Sequence, residues 1–350
     1  MRESCTYGSA RGALSNERPY RYKRREVIAL LGSVVASPAT LWAQQAPVRR
    51  VGVLMGYGDA DPEAKILLSG FTNGLASLGW IDGRNVRIDV RWAAGSVERM
   101  QTLAKELVGL QPDVILANTT PVTAALQRAT STIPIVFVIV ADPVGSGFVA
   151  TLPRPGGNIT GLVNEEASTV GKRLELLTVI APAVKRVAII FNPETAPQSG
   201  SYYIPAFEAA AQMHRVEPII APIRSDAEIE AVITRLGGQP AGGLVVMNDG
   251  FMFVHRSQII SVARRNKVPA VYYDTTFAKE GGLLAYGTDR ADLFHRAAPY
   301  VDHILRGAKP AELPVQVPAK FEMALNNETA KILRLTVPES ILAIADEVIE

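Results

Sequence analysis

Cysteine is all but missing from this chain: Cys5 is the only one in 350 residues. It stands ahead of an apolar segment that reads as a removable leader, so the expected mature protein has none. Disulfides, thiol catalysis and Cys-ligated metals are thereby excluded. Histidine is nearly as scarce. Of His214, His255, His295 and His303, the last two lie eight apart on one expected helix, without a neighbouring ligand cluster. All four read as core or surface histidines rather than metal ligands. No second long apolar run comes after the leader, so no further membrane segment is expected. An excess of positive charge is lacking too. Residues 1–43 carry seven Lys/Arg and three Glu, a net of +4, which leaves −2 for the remainder of a chain whose total is +2. A basic nucleic-acid surface is not expected.

Signatures of catalysis are also missing. Gly52, Gly56 and Gly58 are spaced G-x-x-x-G-x-G, which is not the dinucleotide fingerprint, and no P-loop follows a strand. Ser199-Gly200-Ser201 is a loop at a helix start, not a nucleophile elbow. Asp289 and Asp292 read as an N-cap and a first-turn charge rather than an acid/base pair. With no defensible nucleophile–base pair, the expectation is a protein that is not an enzyme and uses no cofactor.

The leader has the parts of a secretory signal peptide: Lys23-Arg24-Arg25-Glu26, the apolar Val27–Ala36, and the segment Ser37–Ala43 that ends in a small residue before the cut. Arg24-Arg25 resembles the twin-arginine type. No cysteine stands at the cut, which argues against a lipid anchor there. The reading for residues 1–43 is a cleaved leader, and for the remainder a periplasmic protein.

Beyond the leader, strand and helix alternate. The chain turns on Val136–Gly147, a β-branched and aromatic run that stops at Asp142-Pro143, and on the glycine-rich Pro155–Gly161. Such a segment can leave one α/β unit and enter another. Before it, strands are expected at Val51–Met55, Asn85–Trp92, Asp113–Ala117 and Ile133–Val138, with helices opened by Asp61-Pro62, Ser96 and Asn118–Pro121. After it the period restarts. Ser168 is expected to cap a helix, Ser225–Glu228 is a capping box, and helices are expected over about 201–214 and 253–266. Strands are expected at Arg186–Phe191, Pro218–Ala221, Gly243–Met247, Val268–Tyr272 and Gly282–Gly287. A helix from Asp289 to Leu305, a proline-rich passage, strand Phe321–Asn326 and a last helix form a coda. Two β/α runs of similar length predict an α/β protein of two doubly wound, Rossmann-like lobes. The coda implies that the chain returns to the first lobe and recrosses. The expected division is 48–159 plus 285–312 for one lobe and 160–284 plus 313–350 for the other.

Polar residues collect just after the strands: Tyr57, Thr119, Thr120, Asp142, Asn192, Asn248, Asp249, Tyr273 and Asp274. In parallel sheets these positions gather along one edge. Two facing lobes would bring them into one cleft suited to a small polar ligand. Asn, Asp and Gly also follow strands simply as turn formers and caps.

The order of Val51–Leu54, Gly79–Val86, Pro112–Ile115, Ile133–Val136, Asp142–Gly147, Pro155–Gly161, Lys185–Ala188, Asn192-Pro193 and Tyr286-Gly287 resembles the solute-binding proteins of ABC transporters. The likeness is to the group that includes tryptophan and other aromatic amino-acid binders, and it covers about residues 48–338. It implies a type I periplasmic-binding fold with three crossovers, hinges near 139–161, 275–285 and 310–320, and closure on a small-molecule ligand. It also implies an inner-membrane permease with a cytoplasmic ATPase as partners, and a monomer. By resemblance, ligand contacts fall at Thr119-Thr120, Asp142, Asn192, Asn248-Asp249 and Asp274. The sequence leaves open two alternatives, a sensory subunit of the same fold and an exported α/β enzyme.

Overall fold

The computed structural model describes residues 48–350; the expected leader lies outside the described residues. The chain order begins β1 (Arg49–Met55), α1 (Pro62–Ser77), β2 (Val86–Trp92), α2 (Val97–Gly109), β3 (Val114–Asn118), α3 (Thr120–Ala129), β4 (Ile135–Val140) and β5 (Ile159–Val163). These five strands form one parallel sheet in the order β2-β1-β3-β4-β5. Strands β3, β4 and β5 are buried throughout, as strands covered by helices on both faces must be. Local chemistry sets the helix starts. Asp61 accepts from the Glu63 N–H at 3.0 Å with Pro62 behind it, and Ser96 accepts from the Arg99 N–H at 3.2 Å.

The second run is α4 (Thr169–Ile180), β6 (Arg186–Phe191), α5 (Ile204–His214), β7 (Glu217–Pro222), α6 (Asp226–Gly237), β8 (Gly242–Val246), α7 (Gly250–Val254), α8 (Arg256–Arg265), β9 (Ala270–Tyr272), α9 (Thr275–Lys279) and β10 (Leu284–Thr288). The coda adds α10 (Arg290–Leu305), β11 (Phe321–Asn326), α11 (Asn327–Ile332), α12 (Glu339–Leu342) and β12 (Glu347–Ile349). The second sheet runs β12-β11-β10-β9-β8-β6-β7, with β11 antiparallel to β10 and the other pairs parallel. Its β7-β6-β8-β9-β10 portion repeats the strand order of the first sheet.

Several expectations are corrected. Ser168 has helical backbone and makes no capping bond. In the Ser225–Glu228 box, Glu228 reaches back to the Arg224 N–H at 2.6 Å, one residue further than expected. The helix expected over 253–266 is two helices meeting at His255. The single last helix is two short ones and an edge strand, because Pro338 interrupts the segment.

The lobe boundaries shift as well. Strand β5, to Val163, belongs to the first sheet, and all of β10, to Thr288, belongs to the second. The boundaries expected at 159/160 and 284/285 therefore fall at or inside strands. Residues just beyond 312 still lie against the first sheet, where the Val315 N–H donates to the Leu152 carbonyl at 2.8 Å. The chain passes between the sheets just after Val163, just after Thr288 and between Gln316 and Phe321. These three passages bond to one another: the Val163 N–H donates to the Gln316 carbonyl at 2.8 Å, the Asp289 N–H to the Lys320 carbonyl at 3.2 Å, and the Thr288 hydroxyl to the Asn164 carbonyl. The first two lie C-terminal to the expected hinges.

Candidate ligand site between the sheets

In a sheet of this order the crevice opens where the winding reverses, between the first and third strands. In the first sheet that point lies between the ends of β1 and β3. The Asn118 side-chain oxygen accepts from the Gly56 N–H at 3.1 Å and ties the two strand ends together. Gly56 is needed there, since a Cβ would lie 2.8 Å from the Thr119 hydroxyl. In the second sheet the same point lies between β6 and β8. The Asp249 carboxylate accepts from the Asn192 N–H at 2.9 Å, from the Thr195 hydroxyl at 3.1 Å and, as N-cap of α7, from the Met252 N–H at 2.8 Å.

The two carboxyl edges face each other across a narrow, nearly closed cavity of about 10 Å³. From the first sheet come Tyr57 after β1, Thr119, Thr120 and Pro121 at the start of α3, Ile139 and Ala141 at the end of β4, and Asn164 after β5. From the second come Thr195 and Pro197 after β6 and Asn248, Asp249 and Gly250 after β8. The edges approach closely: a methyl at Gly250 would stand 3.9 Å from the Thr119 side-chain methyl.

Five of the nine expected residues line this cavity: Tyr57, Thr119, Thr120, Asn248 and Asp249. The other four do not. Asp142 lies on a separate surface depression, where its carboxylate accepts from the Gly145 N–H at 2.8 Å and from Gln198. The Asn192 side chain closes a turn on the Glu194 N–H at 2.8 Å. Tyr273 is buried behind the wall and donates to the Asp249 carbonyl at 3.0 Å. Asp274 caps α9 and pairs with Arg290 at 2.7 Å. Sequence reasoning missed the apolar wall residues, which carry no chemical signature, and also Asn164 and Thr195, which follow strands as the chosen residues do.

Thr119 departs from ordinary backbone geometry, with φ +83° and ψ 156°. This region is almost confined to glycine, and holding another residue there costs on the order of 1–3 kcal/mol. Its hydroxyl is buried with no partner, as is the Asn118 amide nitrogen. The orphan hydroxyl stands at the N-terminus of α3, where unpaired N–H groups and the helix dipole favour negative charge.

The lining holds one carboxylate, Asp249, and no cationic side chain. Burial pushes the Asp249 pKa up to about 6, against the opposing hydrogen bonds from Met252, Asn192 and Thr195. Behind the wall, burial disfavours the charge of Asp274, but the Arg290 guanidinium and the hydrogen bonds from Thr276 together outweigh it and hold the carboxyl below the usual range. Burial also raises the Tyr57 phenol, with Arg290 acting in the opposite direction. Among the described residues no cluster of His, Cys, Asp or Glu could hold a metal ion, and no helix is long and apolar enough to cross a membrane.

The chain is similar along most of its length to known binding proteins. It is 28% identical over 264 residues to a tyrosine-binding protein of Clostridioides difficile, covering 75% of each chain. It superposes on an ABC domain of Streptococcus pneumonia in complex with L-Trp with a TM-score of 0.79 at 26% identity, covering 86% of this chain and 99% of that one. Against the ligand-free, open structure of a substrate-binding protein with adhesive properties from Clostridium difficile, the TM-score is 0.63 at 25% identity and the same coverage. The model of the ABC transporter substrate binding protein family matches residues 60–349. These relatives bind solutes rather than transform them, and this chain belongs to the family of ABC transporter substrate-binding proteins.

Proposed function

We propose that this protein is the periplasmic receptor of an ABC importer and that it closes on an amino acid, aromatic in side chain, held between the two sheets. The observation that carries the reading is the charge layout of the cavity. The buried Thr119 hydroxyl and the first N–H groups of α3 offer neutral donors to a carboxylate on one side. Asp249, the one carboxylate in the lining, offers an acceptor for an ammonium on the other. A zwitterion meets both with a full charge of the right sign, whereas an anion sets like charge against Asp249. Tyr57, Pro121, Ile139 and Pro197 supply apolar wall for a side chain. The relatives named for tyrosine and L-Trp support the aromatic choice. Hinge motion about the three passages is supported by the better match to the L-Trp complex than to the open structure. The partners are a membrane permease and its ATPase, the receptor acts as a monomer, and the leader directs export by the twin-arginine route.

Isothermal titration with L-tyrosine, L-tryptophan and the remaining amino acids tests this. Saturable binding of an aromatic amino acid is expected, with a stabilisation of about 2.7 kcal/mol at a hundredfold excess over Kd. Silence across the whole amino-acid set would remove the amino-acid reading.

A further inference from the structure

Two arginines that do not line the cavity converge on one ring beside it. The Arg256 guanidinium lies 4.5 Å from the Phe253 ring centroid and that of Arg290 lies 4.1 Å from it. Arg256 reaches from the second sheet's side to the first, and Arg290, at the start of α10 on the first lobe, reaches to the second. Arg256, on α8, grips Asp61 at the start of α1 with two bonds, 2.6 and 3.1 Å, while its Nε donates to Glu280 at 2.8 Å. Arg290 holds Asp274 at 2.7 Å and donates to the Tyr57 hydroxyl. The Tyr57 ring in turn lies 4.7 Å from Phe253.

We propose that Arg256 and Arg290, drawn onto Phe253, form a clasp that holds the two lobes shut through Asp61 and sets Tyr57 against the cavity. Three features separate the Arg256–Asp61 pair from an ordinary surface ion pair. It is bidentate, its side chains are only 9% and 13% exposed, and its carboxylate is already fixed as a helix cap. Neither residue lines the cavity, so the bond exists only when the lobes meet, whatever solute lies between them. Its contribution multiplies the affinity for every solute by one factor, because it acts on the closed population and not on the choice of ligand. Arg290 is a positioning residue for Tyr57.

The inference rests on hinge closure, and the test separates the two. Asp61→Asn keeps a good N-cap and removes the charge; Arg256→Gln attacks the same bond from the other lobe, and circular dichroism confirms that each variant folds. Small-angle scattering is recorded for wild type and both variants, alone and with L-tyrosine or L-tryptophan, alongside affinity and dissociation rate. The clasp predicts a larger radius of gyration for both variants. It also predicts affinities about tenfold weaker for both amino acids by the same factor, faster dissociation, and a double variant no weaker than either single one. Variants indistinguishable from wild type in scattering and affinity overturn it, as does a change in the ratio of the two affinities. If bound ligand leaves the curves of wild type and of both variants unchanged, hinge closure fails and the clasp with it. If neither amino acid binds, the amino-acid reading fails, and the scattering of the unliganded proteins decides the clasp, identical curves refuting it.

Discussion

Asn118 and Asp249 make matching bonds in the two lobes. Asn118 ends β3 and Asp249 caps α7 just beyond β8, and each accepts a hydrogen bond from a backbone N–H just after the first strand of its unit, Gly56 in one case and Asn192 in the other. The bond closes the crevice floor at the winding reversal of both sheets. Of the two, only Asp249 is charged and lines the cavity, so the charge on the wall stands on the second sheet's side.

Asp249 makes stability and binding depend on pH in opposite senses. Its folded-state pKa of about 6 lies above the ordinary value near 3.8, so the folded protein holds the proton more tightly than the unfolded chain. Stability from this group is therefore present below about pH 4 and lost as pH rises to 6, by about 3 kcal/mol. Denaturant titrations at pH 4.5 and 7 are expected to show this loss in wild type relative to Asp249→Asn. An ammonium-bearing ligand needs the ionised form, so its Kd is expected to rise by up to about tenfold per pH unit below 6.

Thr119 exchanges stability for a donor. Thr119→Gly removes the backbone strain at φ +83° and the orphan hydroxyl together. The variant is expected to be more stable by about 1 kcal/mol, after glycine's entropic cost, and to bind at least tenfold more weakly. Thr119→Ser keeps the hydroxyl and is expected to retain affinity. Thermal unfolding and titration of the pair check both halves.

Glu165 and Arg173 form a fully buried ion pair, and the Arg173 Nε donates to the Tyr286 carbonyl at 2.9 Å. It ties the first inter-sheet passage to α4 and to β10. Glu165→Gln is expected to destabilise by about 3–5 kcal/mol, since it leaves a buried guanidinium uncompensated. Glu165→Leu combined with Arg173→Met is expected to cost less than either single change, measured by urea unfolding.

The return of α10 to the first lobe depends on a close helix contact. A Cβ at Gly74 of α1 would stand 2.8 Å from the Ala298 Cβ of α10. Gly74→Val is expected to lower stability by about 2 kcal/mol through overpacking, with a visible fall in melting temperature.

Much of the fold was legible because its elements are local. Apolar runs of strand length, Asp61-Pro62, Ser96 and Asp289 as caps, and the restart of the β/α period after Gly161 all speak through neighbours in sequence. The boundaries were less so. Nothing near Val163 or Thr288 marks which sheet a strand joins, because strand pairing is fixed by partners far along the chain. The site was half legible. That polar residues follow strands is a local fact, and it found Tyr57, Thr119, Thr120, Asn248 and Asp249. Whether such a residue faces the cavity or is taken by its own loop or a distant partner is not: Asn192 turns back, while Asp142 and Asp274 also bond to Gln198 and Arg290. Arg173 does carry a local signal: it shares a helical stripe with Val170, Leu174 and Leu177 and so had to be buried with a partner.

By itself the sequence determined two α/β units and an edge rich in polar groups. Periodicity and composition carry that information within a few residues of each position. Only the tertiary structure decided that Asp249 is the one charge on the cavity wall, that Arg290 and Arg256 are spent on Asp274 and Asp61, and that Thr119 is strained. These depend on which groups lose water together and which find a partner, and burial and pairing are set by segments hundreds of residues apart.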